Sequence, residues 1–239
     1  YRALLATNPF AVIIAPIFQQ RIMTEFVGAL EAESIPYSLI DSNWPEFNPV
    51  TFYGQDSKRS GEFSARIMML ASGGVAQRIF IFKILGEGRV ASRQQLNRER
   101  GFRQYLADNC PKCEIVDVNL YAYDKQGMRE IMREAFAENP DVRLGVSFNS
   151  SIHLIGDFLR TEMPEHPHVT LLGYDMLEAN VRCVKQGFVD FLIAQHPHKQ
   201  GLNCFRSMFN TCVLHSKPTR DHYVSIELLT KENIDYYED

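Results

Sequence analysis

The chain has 239 residues, 45% apolar and 23% charged, the composition of an ordinary globular protein long enough for one large domain or two small ones. A formal net charge of −4 gives it no overall electrostatic pull toward nucleic acid, and no run reaches the roughly 18 apolar residues that span a bilayer. Five cysteines, an odd number without framework spacing, favour a reducing compartment. Ala3 to Ala6 reads as the end of a helix stopped by Asn8-Pro9, and Ala11 to Ala15 as a buried strand. A helix covering a parallel sheet needs a strand before it, so roughly 30–50 residues, about one βαβ unit, are expected upstream of Tyr1. Phe18 to Ala32 is a helix, and Pro36 to Ile40 a strand ending at Asp41-Ser42. Phe52 to Gln55 precedes an N-cap at Asp56 or Ser57, and the helix that follows stops at Gly73-Gly74. Ile79 to Ile84 is a strand, Gly86-Glu87-Gly88 a turn, and Ser92 opens a helix running to about Asn109.

Ile115 to Leu120 is the next strand. Asp124 caps a helix whose stripe is Met128, Ile131, Met132, Ala135 and Phe136. Val142 to Ser147 is a strand, and Asn149-Ser150 opens a helix through Ile152, Ile155 and Leu159. Val169 to Leu172 is a strand, Gly173-Tyr174-Asp175 its turn, and Leu177, Val181 and Val184 a helix closed by Gly187. Phe188 to Ala194 is a strand closed by Gln195 and Pro197. Leu202, Phe205, Phe209 and Cys212 mark a helix, Pro218 to His222 a loop, and Val224 to Leu229 a strand before a polar tail. Sustained β-α alternation predicts an α/β protein with parallel sheets, helices on both faces and right-handed crossovers. In such sheets ligands bind beyond the carboxyl ends of strands. Asp41, Arg98, Tyr123, Asn149, Asp175 and Gln195 all fall just after a strand or at the head of the next helix. Their planar polar groups suit paired hydroxyls, and Tyr123 can stack on the C–H face of a sugar ring. Each has a plainer alternative. Asp41 and Asp175 suit turns or caps, Arg98 a solvated helix face, and Tyr123 a hydrophobic staple.

Gly173-Tyr174-Asp175, then Lys185 to Asp190, then Gln195 to Gly201 resemble the ligand-binding core of the lactose/galactose-repressor family, shared with type I periplasmic sugar-binding proteins. Arg98-x-x-Gly101-Phe102 is similar to that family's ligand-clamping motif. The resemblance implies two doubly wound lobes joined by three crossing segments, near Tyr53–Asp56, Gln195–His198 and Tyr223–Ile226. Lobe one would hold residues 1–53 and 198–222, truncated at its start. Lobe two would hold 56–194 and 224–230, followed by a tail at 231–239. It also implies ligand contacts at Asp41, Arg98, Tyr123, Asn149, Asp175 and Gln195, a homodimer, and operator DNA bound only through an upstream headpiece. Ala15, Ser42 and Ser150 depart from common family residues and leave the identity of the sugar open. The expected function is a cytoplasmic regulator sensing a sugar-like effector, without catalysis, cofactor or metal. The alternative is a periplasmic sugar-binding protein. Cys110-Pro111-Lys112-Cys113 reads as a surface loop, and the His166/His168 and His196/His198 pairs lack a third ligand in sequence. No G-x-S-x-G context supports a hydrolase.

Overall fold

The computed structural model describes residues 1–75, 78–86, 91–217 and 219–239. Glu87 and Gly88 of the expected turn, and Pro218 of the expected loop, lie outside the described residues. Among the described residues, ten strands fall into two sheets. The first holds β1 (Val12–Ile14), β2 (Tyr37–Asp41), β3 (Phe52–Gly54) and β9 (Asp221–Tyr223) in that order, all parallel. The second runs β10 (Glu227–Leu229), β8 (Phe191–Ala194), β7 (Thr170–Tyr174), β6 (Leu144–Val146), β4 (Arg78–Leu85), β5 (Glu114–Tyr121). It is parallel throughout except for β10 against β8. The expected α/β class and its two lobes are therefore present. The chain passes between the sheets three times, from β3 into helix α3 (Ser57–Ala71), from β8 into α8 (Pro197–Cys212), and from β9 into β10.

Both faces of the second sheet are covered, which is why its strands read as near-continuous apolar runs. Alternation along β4 sends Phe80, Phe82 and Ile84 into one core and Ile79 and Ile81 into the other. Helix α5 (Lys125–Glu138) buries Met128, Met132 and Phe136, spaced at four residues. Helix α2 (Gln20–Ala32) buries Met23, Phe26, Val27 and Leu30 against Tyr37, Leu39, Trp44 and Phe52 of the first lobe. The remaining helices are α1 (Arg2–Leu5), α4 (Arg93–Asn109), α6 (His153–Glu162) and α7 (Glu178–Lys185).

Helices α3 and α4 cross closely enough that only glycine fits at the contact. A Cβ on Gly61 would stand 1.9 Å from the carbonyl oxygen of Arg98, and one on Gly101 2.0 Å from that of Lys58. This crossing sets where Arg98 lies.

Several local readings differ from the structure: Asp221 and His222, read as loop, belong to β9, and the helix read as opening at Asn149-Ser150 begins at His153. Helix α8 forms as expected, but it buries Gln200, Cys204 and Met208, leaving Leu202, Phe205 and Phe209 largely exposed. The segment read as a polar tail is docked. Ile234 is buried in the second lobe's core, and the Asp239 carboxylate accepts from the backbone N–H groups of His198 (3.0 Å) and Lys199 (3.2 Å). Two apolar anchors, Ile234 and Tyr237, suffice among the charges. Cys110 and Cys113, read as an unbonded surface loop, are joined by a disulfide at the end of α4, where the turn brings their Cα atoms to 5.5 Å.

Candidate functional site

Strands β2, β7 and β8 end facing the cleft between the lobes, and each end turns through a left-handed residue. Asp41 has φ 70°, Asp175 φ 72° and His196 φ 53°. Aspartate tolerates this conformation better than most residues because its short polar side chain bonds locally. Asp41 thus comes from the first lobe, Asp175 from the second, and Gln195 from the crossing after β8. Helix α4 supplies the fourth group. Its start is held by a capping box between Ser92 and Gln95, so the first turn is well defined.

Arg98 is 1% exposed, and every contact it makes is internal. Its Nη1 donates to the Phe148 carbonyl at 2.9 Å, its Nη2 donates to Gln195 Oε1, and its guanidinium lies 3.9 Å over the Tyr174 ring. The Tyr174 hydroxyl is held by Ser60 and Ser64 of α3, at 3.1 and 2.8 Å. Gln195 Nε2 donates to Asp175 Oδ1, and Gln195 Oε1 also accepts from Gln94 Nε2 at 2.8 Å. Gln94 Nε2 in turn donates to Asp41 Oδ1 at 2.8 Å. The partners force both amide orientations. Arg98 can only donate to Gln195 Oε1, while the Asp41 and Asp175 carboxylates can only accept. Gln200 closes the loop, accepting from the Asp41 N–H at 2.9 Å and donating to the Gln195 carbonyl at 2.6 Å.

Four of the six residues expected from the sequence therefore meet in one network: Asp41, Arg98, Asp175 and Gln195. Asn149 lies beside it, in a scaffolding role. Its amide donates to the Ile84 carbonyl at 2.8 Å and accepts from the Ser151 N–H and the Ser147 hydroxyl, both at 3.0 Å. This ties the end of β4 to the turn after β6 and fixes the Phe148 carbonyl that Arg98 uses. Tyr123 stands apart. It follows β5 at the edge of the second sheet, is 59% exposed, and packs on Tyr121 at 5.8 Å.

Gln94, Gln200 and Gln55 are further residues of this region; the first two lie on helices, and Gln55 follows β3, a strand not read from the sequence. Gln94 precedes Arg98 by four residues and so shares its helix face, a signal present in the sequence. Gln55 is buried in the first crossing, and its amide donates to the carbonyls of Ala194 (2.7 Å), at the end of β8, and Ser225 (2.9 Å), in the third crossing.

The network holds two carboxylates and one guanidinium. Burial pushes the Asp41 carboxyl above its usual range. The Arg98 charge and the Gln94 bond oppose that rise, and the Asp175 charge adds to it. Burial likewise raises the Tyr174 hydroxyl, against the Arg98 charge and the two serine bonds. Cys183 and Cys204 are pushed up to about 11 by burial, so neither is a ready nucleophile. Among the described residues no group of three or more His, Cys, Asp or Glu is placed to hold a metal, and no helix is long and apolar enough to cross a membrane.

The model of the periplasmic binding protein domain family matches residues 2–212. The chain belongs to this family. A crystal structure assigned as a LacI transcriptional regulator from Bacteroides fragilis superposes with a TM-score of 0.92 at 39% identity, covering 99% of this chain and 81% of the other. The chain is thus a LacI-type core with the type I periplasmic-binding fold. A sugar ABC transporter sugar-binding protein from Bacillus halodurans matches at TM-score 0.85 and 18% identity, covering 99% and 83% of the two chains. An ABC transporter solute binding protein from Burkholderia graminis, in complex with D-arabinose, matches at 0.84 and 16%, covering 100% and 81%. These two likenesses speak to the fold alone. A comparison with curated proteins found no match. The family and these relatives are ligand-binding and regulatory proteins.

Proposed function

We propose that the chain is the effector-sensing core of a DNA-binding transcription regulator, and that its effector is a sugar or sugar derivative bound between the lobes. The observation that carries this is the run of planar polar groups spanning the cleft, from Asp41 through Gln195 and Arg98 to Asp175. Vicinal hydroxyls donate to carboxylates and accept from guanidinium and amide groups, so a polyol can take over these bonds one for one. The 39% identity with a LacI regulator supports the regulatory role, and the D-arabinose bound by a protein of the same fold supports the ligand class. On this reading Asp41, Arg98, Asp175 and Gln195 contact the ligand, Asn149 holds the frame, and Tyr123 lies at the rim. The effector shifts the closure equilibrium, and a cytoplasmic homodimer transmits the shift to DNA held by a headpiece upstream.

A second reading, a periplasmic sugar receptor, is favoured by one observation, the Cys110–Cys113 disulfide, since such bonds persist in oxidising compartments. Calorimetric titration with pentoses and hexoses, D-arabinose among them, tests the shared part. Asp175→Ala should weaken the binding found by roughly ten- to a hundred-fold, because a charge-assisted bond contributes about 1.5–3 kcal/mol. Wild-type affinity in that variant, or no binding of any sugar by the wild type, defeats the site. The residues encoded upstream of Tyr1 separate the two readings: a helix-turn-helix supports the regulator, a cleavable leader the receptor.

A further inference from the structure

We propose that the first turn of α4 is a clasp that holds the two lobes together through the protein's own groups, with Gln94 in the place a bridging ligand hydroxyl would need. The inference rests on reading the cleft as the ligand site. Two adjacent residues of α4, in the second lobe, reach the first. Arg93 Nη1 donates to both oxygens of the Glu46 carboxylate, at 2.6 and 2.7 Å, and its guanidinium lies 4.8 Å over the Trp44 ring. Trp44 is buried in the first lobe's core and stacks on Phe47 at 5.2 Å. One residue along, the Gln94 amide donates to Asp41 Oδ1 at 2.8 Å and lies 3.2 Å from the Asp41 carbonyl, while also reaching Gln195.

The capping box at Ser92 and Gln95 fixes the backbone from which both side chains project. The Gly61 and Gly101 contacts anchor the body of α4 to α3. The clasp is therefore rigid on the second-lobe side, and its bonds run directly from one lobe to the other. The Gln94 amide donates to the same Asp41 carboxylate that a ligand hydroxyl would use. A ligand that bridges the lobes there must first displace it, so the clasp opposes the ligand for Asp41 while favouring the closed shape. Apparent affinity is then set by the difference between the ligand's bonds and the clasp's. A ligand with two adjacent donors, replacing the Asp41 and Gln195 bonds together, is the best suited competitor.

Small-angle scattering of the chain in buffer without sugar tests the clasp, alongside emission from Trp44, the single tryptophan. Wild type should have a radius of gyration near that of a compact chain of this length, about 18 Å. Combining Arg93→Ala with Gln94→Ala should enlarge the radius and shift Trp44 emission to the red as the guanidinium leaves its ring face. A double variant with native circular dichroism and an unchanged radius overturns the clasp. Should the double variant fail to fold, Glu46→Gln, in the first lobe, leaves α4 intact and must still enlarge the radius; a wild-type value there overturns the proposal equally. No sugar is present in this experiment. Failure of the sugar titrations therefore defeats the ligand reading and leaves the clasp standing, and an unchanged radius does the reverse.

Discussion

Arg98 and Asp41 differ in what each contributes. As a cleft-facing group Arg98 would be free to lose without harm to the fold, which is what its place near the head of a helix in the sequence suggests. Its burial argues otherwise. Arg98→Ala strands the Phe148 carbonyl, removes one of the two donors to Gln195 Oε1 and empties the space over Tyr174, so it lowers stability as well as binding. Asp175→Ala spares those buried bonds, although alanine is strained at φ 72°, so its affinity is read beside its melting temperature. Asp41 works against the fold. Its folded pKa lies above the ordinary 3.8, chiefly through burial. At a pH between the two values the folded protein keeps a proton that the unfolded chain has released. The stability from this group is therefore fully present below 3.8 and is lost as pH rises through the folded pKa. Asparagine keeps the acceptor for Gln94, removes the charge and tolerates φ 70°. Asp41→Asn is expected to raise the melting temperature near neutral pH, with the gain over wild type shrinking as melts are repeated at lower pH. A gain that does not depend on pH would show that the charge is not the cause.

At the scale of elements, the pair α3 and α4 carries the site. The two helices touch backbone to backbone at Gly61 and Gly101, so Arg98 and Gln94 inherit their positions from the crossing. Gly101→Ala puts a methyl group 2.0 Å from the Lys58 carbonyl oxygen, which no side-chain rotation relieves. Overpacking of this kind costs about 1–3 kcal/mol. A lower urea midpoint is expected, together with weaker sugar binding, because α4 must slide and carry Arg98 with it. Stability lost without any change in affinity would mean that the site does not depend on the crossing. The Arg-x-x-Gly-aromatic motif was visible in the sequence as a spacing. The reason for its glycine, a partner helix 40 residues earlier at Gly61, was not.

At the scale of the molecule, Gln55 joins the three crossings. One amide bonds Ala194 and Ser225, so any change in lobe angle must work against it. Gln55→Ala leaves the buried Ala194 carbonyl without that donor, at about 1–3 kcal/mol, while water can replace it at the exposed Ser225. It should lower the melting temperature and broaden the range of lobe angles, seen as an enlarged radius of gyration in scattering. A variant with wild-type stability would remove Gln55 from the hinge.

The sequence by itself determined the alternation of strands and helices, the parallel sheets, the helix caps at Ser92, Asp124 and one of Asp56 or Ser57, and the polar residues placed at strand ends. Those features follow from periodicity and capping, which act over a few residues. Only the tertiary structure decided which of those polar residues meet. Gln94 and Gln195 are 101 residues apart, and Asp41 and Gln200 are 159 apart. Their contact depends on how two sheets face each other. Tyr123 reads in sequence like Asp175, yet β5 is an edge strand and β7 lies within the sheet, and strand order is not a local property. The buried face of α8 was likewise decided at this scale. On that face Met208 meets the Ser38 hydroxyl and Gln200 reaches the Gln195 carbonyl, contacts set by residues far away in sequence.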